Sequence, residues 1–267
     1  MDLGFADATA VVTGGSKGMG RSVAEVLASD GARVAVMARG RTALDDTFAA
    51  LRDLGSPDAV GISVDMTDPA SITAGFRDVK ERWGSLNVLV HTIGPGAGRF
   101  DDLDDADWDE AFALGSMSAV RSVREAVPLL RAADWGRVAI FSAHSIQRQS
   151  PMLVAYTASK AAVTSLAKNL AKSLAPDGIL VNVVCPGSIV TASFTENLRE
   201  IFAAEGLDPS DPHDVMQWIG QTFHQPADLG RAGLPDEVAS LTAYLVSRRN
   251  GYVTGACVNA DGGSDFV

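Results

Sequence analysis

Tyr156 and Lys160 stand four positions apart in the segment AYTASK, residues 155–160. In a helix that spacing puts both side chains on one face, so the ammonium can sit beneath the phenol. A free phenol ionises near pH 10, and each unit by which a neighbouring cation lowers that value is worth about 1.4 kcal/mol. Brought toward neutrality, such a tyrosine can exchange a proton with an alcohol or carbonyl oxygen. The plainer alternative for a Tyr–Lys pair at this spacing is a solvated helix face, so its place in the fold decides what it means.

A second motif points to a reaction partner. TGGSKGMG, residues 13–20, follows an apolar run and opens an amphipathic segment, the setting in which a glycine pattern cradles phosphate. Gly14 permits the tight turn, Gly18 lets backbone approach a pyrophosphate and Gly20 allows close helix packing, while the helix N-terminus attracts negative charge. Ser16, Lys17 and Met19 complete the turn as cofactor-binding candidates. After the second apolar run, Ala38 and Arg39 occupy the place where an acid would bind the ribose hydroxyls of NAD. Arg39, joined by Arg41 and Lys17, offers positive charge suited to a 2′-phosphate, so NADP(H) is preferred and NAD(H) is the alternative. As solvated surface cations the same residues would carry no such meaning. Asp65, with Met66 beside it, is placed to accept from an adenine amino group; its rival role is a helix cap, for which Asp68 before Pro69 is the better candidate.

This chemistry needs a sheet that carries both motifs to one edge. Short apolar runs recur at 8–12, 33–37, 59–64, 86–90, 137–141, 179–184 and 256–259. Near-continuous apolarity suits strands covered on both faces. Amphipathic patterns fill the gaps at 18–29, 41–54, 69–83, 106–132, 154–175 and 235–247. The alternation predicts an α/β fold: a Rossmann-like, doubly wound parallel sheet with helices on both faces, in a single domain over residues 1–267. Gly31, Gly55, Gly84, Gly136 and Gly178 each stand between a helical pattern and the next strand, where a left-handed cap suits glycine. Residues 188–234 are the least regular and read as a substrate loop or lid. Their Phe194, Phe202, Met216, Trp218 and Phe223 supply apolar surface. It would serve either a pocket shared with Ser145, Ile146, Gln147, Met152 and Leu153, or packing of the loop onto the body.

Together with HTIG at 91–94, NVVCPGSIVT at 182–191 and VTGACVNADGG at 253–263, these motifs resemble the short-chain dehydrogenase/reductase family over nearly the whole chain. The resemblance implies a seven-stranded Rossmann fold, a nicotinamide cofactor and hydride exchange between nicotinamide C4 and a carbonyl carbon. It implies that Tyr156 is the acid or base, and that Lys160 holds the ribose and lowers the tyrosine pKa. It also implies that Thr92, Ile93 and Gly94 border the cofactor, with Pro186, Gly187, Ile189 and Thr191 lining its nicotinamide side. A homotetramer or dimer packed through the helices at 106–132 and 154–175 is a further implication; their apolar stretches would serve a monomer's core equally well.

Three positions depart from the family pattern. The family's catalytic serine falls on Ala143, its helix asparagine on Gly115, and the two asparagines of NNAG on His91 and Thr92. Side chains alternate in an extended segment, so Ser145 shares a face with Ala143 while Ser142 points the other way. Ser145 is therefore the replacement candidate, with Ser142 or His144 open if the backbone bulges. The plain alternative for Ser145 is a loop serine bonded to its own backbone. Ser116 and Ser118 lie near Gly115, and His91 reads as a structural hydrogen-bonding residue rather than a base. Losing one donor to a developing oxyanion costs about 10²- to 10³-fold in rate, so an unreplaced serine would leave a slow enzyme.

Composition narrows the function class. With 46% hydrophobic and 21% charged residues in 267, the chain can bury a sizeable core. A net charge of −11 argues against nucleic-acid binding. Acidic residues fill seven of the ten positions from Asp101 to Glu110, which reads as a solvated loop running into a helix start, with metal binding the lesser alternative. No metal site is expected. Two cysteines make no disulfide framework, and neither a leader nor a membrane span is indicated, so a cytoplasmic protein is expected. The leading expectation is an NADP(H)-dependent oxidoreductase acting on a small-molecule ketone or secondary alcohol of mainly apolar character. The alternative is a catalytically weak NADP(H)-binding sensor or partner subunit, motivated by Ala143 and Gly115. An enoyl thioester as substrate is disfavoured by the YxxxK spacing.

Overall fold

A computed structural model describes residues 2–224 and 226–264. The first apolar run forms β1 (Thr9–Thr13), buried along its whole length, and the glycine turn leads from it into α1 (Gly18–Ser29). The rhythm then continues through β2 (Arg33–Ala38), α2 (Arg41–Asp53), β3 (Ala59–Ser63), α3 (Pro69–Trp83) and β4 (Val88–His91). After β4 come α4 (Asp105–Phe112), α5 (Ser118–Arg131), β5 (Gly136–Phe141), α6 (Val154–Leu174) and β6 (Ile179–Pro186). The last elements are α7 (Ala192–Glu205), α8 (Pro212–Phe223), α9 (Pro235–Val246) and β7 (Cys257–Ala260).

All seven described strands pair in parallel in the order β3-β2-β1-β4-β5-β6-β7. The order reverses between β1 and β4, and a crevice at the carboxyl ends of strands is where such a sheet takes a ligand. Two apolar clusters cover the sheet. One gathers Val12, Leu27, Val36 and Val246, the other Val11, Met37, Leu89 and Val181. Neighbouring strand residues thus feed opposite faces, which is why the runs in the sequence are almost unbroken.

The structure refines several sequence expectations. The pattern at 106–132 is helical over 105–131 but not one regular helix: Ala113–Met117 forms a π-turn between α4 and α5. Gly84 and Gly178 are left-handed, at φ 73° and 71°, as expected of helix stops. Gly136 is not a cap. It is the first residue of β5, and a Cβ there would sit 2.8 Å from Ile179 Cγ1, so its smallness serves the approach of β6.

Residues 188–234 carry two helices rather than an irregular excursion. Phe202 and Met216 are buried, and Phe194, Trp218 and Phe223 pack against them, with the Phe202 and Trp218 ring centroids 5.3 Å apart. These aromatics close the segment on itself, rather than joining a pocket with Ser145 or packing onto the body as the sequence suggested. The acidic run 101–110 does local work: Asp104 caps α4 through the Ala106 and Asp107 amides, and the Asp107 carboxylate accepts from the Asp104 amide. No helix among the described residues is long and apolar enough to cross a membrane.

Candidate active site

Tyr156 and Lys160 lie in the N-terminal part of α6. Lys160 is buried, and its Nζ donates to two backbone carbonyls, Ile93 O and Phe141 O, each at 2.7 Å. Ile93 follows β4 and Phe141 ends β5, so the sheet itself pins the amine. Nζ stands 6.0 Å from the centroid of the Tyr156 ring. Gly94 completes the contact, since a Cβ there would lie 3.2 Å from Lys160 Cε and 3.6 Å from Tyr156 Cε2. Among the described residues, nothing hydrogen-bonds to the Tyr156 hydroxyl.

The expectation that Lys160 lowers the Tyr156 pKa is not met. Burial pushes the phenol up to about 12, with a smaller push from the neighbouring Cys185. Burial likewise pushes the Lys160 ammonium down to about 7, against a small opposing effect of Cys185. The physical reason is desolvation: both groups resist ionising away from water, and the amine directs its protons at carbonyls rather than at the phenol. Burial thus favours the protonated phenol across the neutral range.

Ala143 is extended and buried, with no hydroxyl to offer. Ser142, as the alternation requires, faces away: its Oγ donates to Lys160 O at 3.0 Å and accepts from Thr164 Oγ1 at 2.8 Å. Ser145 sits in a 3₁₀ turn, His144–Ile146, is only 2% exposed, and accepts from Thr157 Oγ1 at 3.0 Å. It is not bonded to its own backbone. His144 Nδ1 lies 3.2 Å from Pro186 O, which turns that ring toward β6.

Gly115 lies inside the π-turn, where an asparagine would require Ser159 to move. A Cβ on it would overlap Ser159 Oγ and lie 2.7 Å from Ser159 Cβ and 3.2 Å from Pro95 Cδ. Ser159 in turn donates to Tyr156 O at 2.8 Å, and Ser116 Oγ donates to Ser159 O at 2.9 Å. The π-turn is thus packed directly against the turn of α6 that carries the tyrosine.

His91 is fully buried with both ring nitrogens bonded, Nδ1 to Thr13 Oγ1 at 2.8 Å and Nε2 to Ser118 Oγ at 3.0 Å. Ser118 spends its proton on Leu114 O, so Nε2–H donates to Ser118 and Nδ1 accepts from Thr13. Burial, reinforced by Lys160, pushes the imidazole down to about 3, so the ring is neutral. It ties β1, β4 and the π-turn together and is no base.

A crevice of about 500 Å³ opens between the glycine turn, the end of β2 and the residues after β4. Gly14, Ser16 and Lys17 line one wall, Arg39 and Met66 a second, and Thr92, Ile93 and Gly94 a third. A Cβ on Gly14 would lie 2.5 Å from Thr92 Oγ1, and one on Gly20 would lie 2.5 Å from Gly14 O, so the backbone cradle exists only because these residues are glycines. The cradle and its basic wall fit a dinucleotide phosphate. Met19 instead packs against the core. Asp65 is exposed and does not line the crevice; its Oδ1 accepts from the Thr67 amide and hydroxyl, while Asp68 caps α3.

Thr191 Oγ1 caps α7 by accepting from the Phe194 amide at 3.2 Å, and the Thr191 methyl would touch a Cβ on Gly18 at 3.3 Å. Gly187 is forced by Asp261, whose Cα would lie 2.7 Å from a Cβ. Pro186 ends β6 opposite Ala260 of β7, whereas Ile189 faces a separate cavity with Gly233. The sequence reading missed Thr157 and Ser159. Adjacent residues on a helix do not share a face, so nothing in the spacing linked Thr157 to Ser145.

The profile of the family described as enoyl-(acyl carrier protein) reductase matches residues 14–265. D-beta-hydroxybutyrate dehydrogenase of Rhizobium meliloti (strain 1021) is 29% identical over 262 residues, 96% of this chain and 97% of that protein. L-Sorbose reductase from Gluconobacter frateurii, solved in complex with NADPH and L-sorbose, superposes with a TM-score of 0.93 at 27% identity over the whole of both chains. A single-site variant of actinorhodin polyketide ketoreductase, solved with NADPH, superposes with a TM-score of 0.86 at 28% identity, covering 98% of each chain.

Proposed function

Because the chain belongs to the short-chain dehydrogenase/reductase family and is an oxidoreductase acting on CH–OH and C=O groups, we propose that it reduces a ketone of mainly apolar character with NADPH. Tyr156 is the proton donor in this reading. When bound, the nicotinamide supplies the hydride that reaches the carbonyl carbon. The phenol, protonated across the neutral range, gives its proton to the alkoxide oxygen, a far stronger base than phenolate. Ser145 donates to the same oxygen in place of the hydroxyl that Ala143 lacks. Lys160 holds the floor of the site through Ile93 O and Phe141 O, and in its charged form it has a third N–H for a ribose hydroxyl.

One observation carries the reading: Ile93, whose carbonyl holds Lys160, and Gly94, which packs against both Lys160 and Tyr156, line the glycine-walled crevice. A dinucleotide held in the cradle would run past Ile93 and Gly94 toward the phenol. Preference for NADPH over NADH rests on Lys17 and Arg39 in the same crevice, with no carboxylate on its walls. The 188–234 segment is the substrate lid of this proposal, and a homo-oligomer is part of it: Phe112 and Met117 are exposed on the helical stretch 105–131. Light scattering showing a single chain would remove that last element.

The test is purified protein with NADPH or NADH and a panel of apolar ketones. Consumption of NADPH, weakened for NADPH but not for NADH by Arg39→Ala, supports the proposal. No consumption on any ketone defeats it, and tight NADPH binding without turnover would favour a sensor.

A further inference from the structure

The hydroxyl of Thr157 has no part in the reaction as described so far, yet it is the group that holds Ser145. Thr157 follows Tyr156 directly on α6, and its Oγ1 donates to Ser145 Oγ across 3.0 Å between α6 and the 3₁₀ turn after β5. A serine hydroxyl carries one proton and two lone pairs. With Thr157 bonded to one lone pair, the Ser145 proton is left over, and among the described residues nothing accepts it. Ser142, the other serine flanking Ala143, has no such reserve, because its hydroxyl is engaged with both Lys160 O and the Thr164 hydroxyl, which itself shares Lys160 O. Ser145 is also almost fully buried, so water competes poorly for that proton. A hydroxyl that accepts one hydrogen bond becomes a better donor of the next.

We infer that Thr157 is a positioning residue: by donating to Ser145 Oγ it turns the serine proton toward the substrate oxygen, and the two hydroxyls together replace the one missing at Ala143. The inference rests on carbonyl reduction at Tyr156. It goes beyond that reading, because a serine acting alone would not need the threonine. The pair also joins the oxyanion donor to the helix turn that bears the phenol, so both groups facing the substrate oxygen move as one body.

The experiment is a double-mutant cycle under NADPH and the best ketone of the panel, with melting temperatures measured on every variant. Ser145→Ala is expected to lower kcat by about 10²-fold, the scale of one lost oxyanion donor. Thr157→Val, which keeps the shape and removes the donor, is expected to lower kcat about 10-fold with KM changed less than about 2-fold, since ground-state binding does not use the relay. Thr157→Ser restores the donor and should recover most of the loss. The double variant Ser145→Ala with Thr157→Val should be no slower than Ser145→Ala alone, because one residue acts through the other. A kcat for Thr157→Val equal to wild type overturns the inference, as does a double variant whose loss is the product of the two single losses. Tyr156→Phe in the same assay reads the underlying proposal separately: if it is inactive while Thr157→Val is unimpaired, only the threonine's role falls.

Discussion

Replacing Gly115 by alanine tests the packing that holds the tyrosine, and its outcome runs against helix propensity. In an ordinary helix the change from glycine to alanine stabilises by about 0.5–1 kcal/mol. Gly115 has no left-handed φ that would forbid a side chain. Its new methyl, however, would overlap Ser159 Oγ and stand 2.7 Å from Ser159 Cβ, with Pro95 Cδ closing the other side at 3.2 Å. Overpacking of this kind costs about 1–3 kcal/mol. The net expectation is a loss of about 1–2 kcal/mol, or about 2–4 °C in melting temperature for a chain of this size. Because Ser159 donates to Tyr156 O, the strain falls on the turn that aims the phenol. A displacement approaching 1 Å there costs up to about 10²-fold in rate, so kcat should fall at least several-fold. Differential scanning fluorimetry and steady-state NADPH consumption measure the two effects. In a Ser159→Gly background, where both Ser159 side-chain atoms are gone and only Pro95 Cδ at 3.2 Å remains, the same Gly115→Ala change should be close to neutral or stabilising. A Gly115→Ala variant that melts higher than wild type with full activity would refute the reasoning.

Further expected outcomes concern the buried polar groups. His91 has a folded pKa of about 3, depressed below its unfolded value near 6.5, so its contribution is fully present above pH 6.5 and is lost as pH falls toward 3. The slope approaches about 1.4 kcal/mol per pH unit below the unfolded pKa, so between pH 6.5 and 4.5 urea denaturation should find wild type losing about 2 kcal/mol more than His91→Asn. Equal losses would show that the ring titrates normally. Ser142 and Ser145 should separate cleanly: Ser142→Ala, which removes two internal hydrogen bonds, should lower stability by about 1–3 kcal/mol and largely spare kcat. Ser145→Ala should do the reverse, and kinetics and urea melts on the pair would reveal any exchange of roles.

The sheet was legible because its strands are buried on both faces. Runs such as Val34 to Met37 admit no other reading once helical patterns flank them, and the observed strands fall within two residues of the runs. The glycine cradle was legible for a related reason: at Gly14 and Gly20 any side chain would strike Thr92 or the turn itself, so the residue type reports the geometry. Three features were not. The phenol's pKa depends on burial, which the four-residue spacing of Tyr156 and Lys160 does not reveal, and desolvation outweighed the expected attraction. The π-turn at Ala113–Met117 adds one residue to a helical turn without any glycine or proline boundary of its own kind, and Gly115 signals it only through contact with Ser159. The bond from Thr157 to Ser145 joins residues on different elements whose hydroxyls face each other only after α6 docks.

The claim on which the rest depends is that a protonated Tyr156 delivers the proton during carbonyl reduction. The most direct measurement is kcat/KM for NADPH-dependent reduction of one responsive ketone by wild type and by Tyr156→Phe, compared from mildly acid to mildly alkaline pH. The expected result is a wild-type rate with no loss assignable to phenol ionisation across that range, because burial pushes the phenol up to about 12, and a loss of at least about 10²-fold in the variant at every pH. A phenylalanine variant that reduces the ketone as fast as wild type would contradict the account.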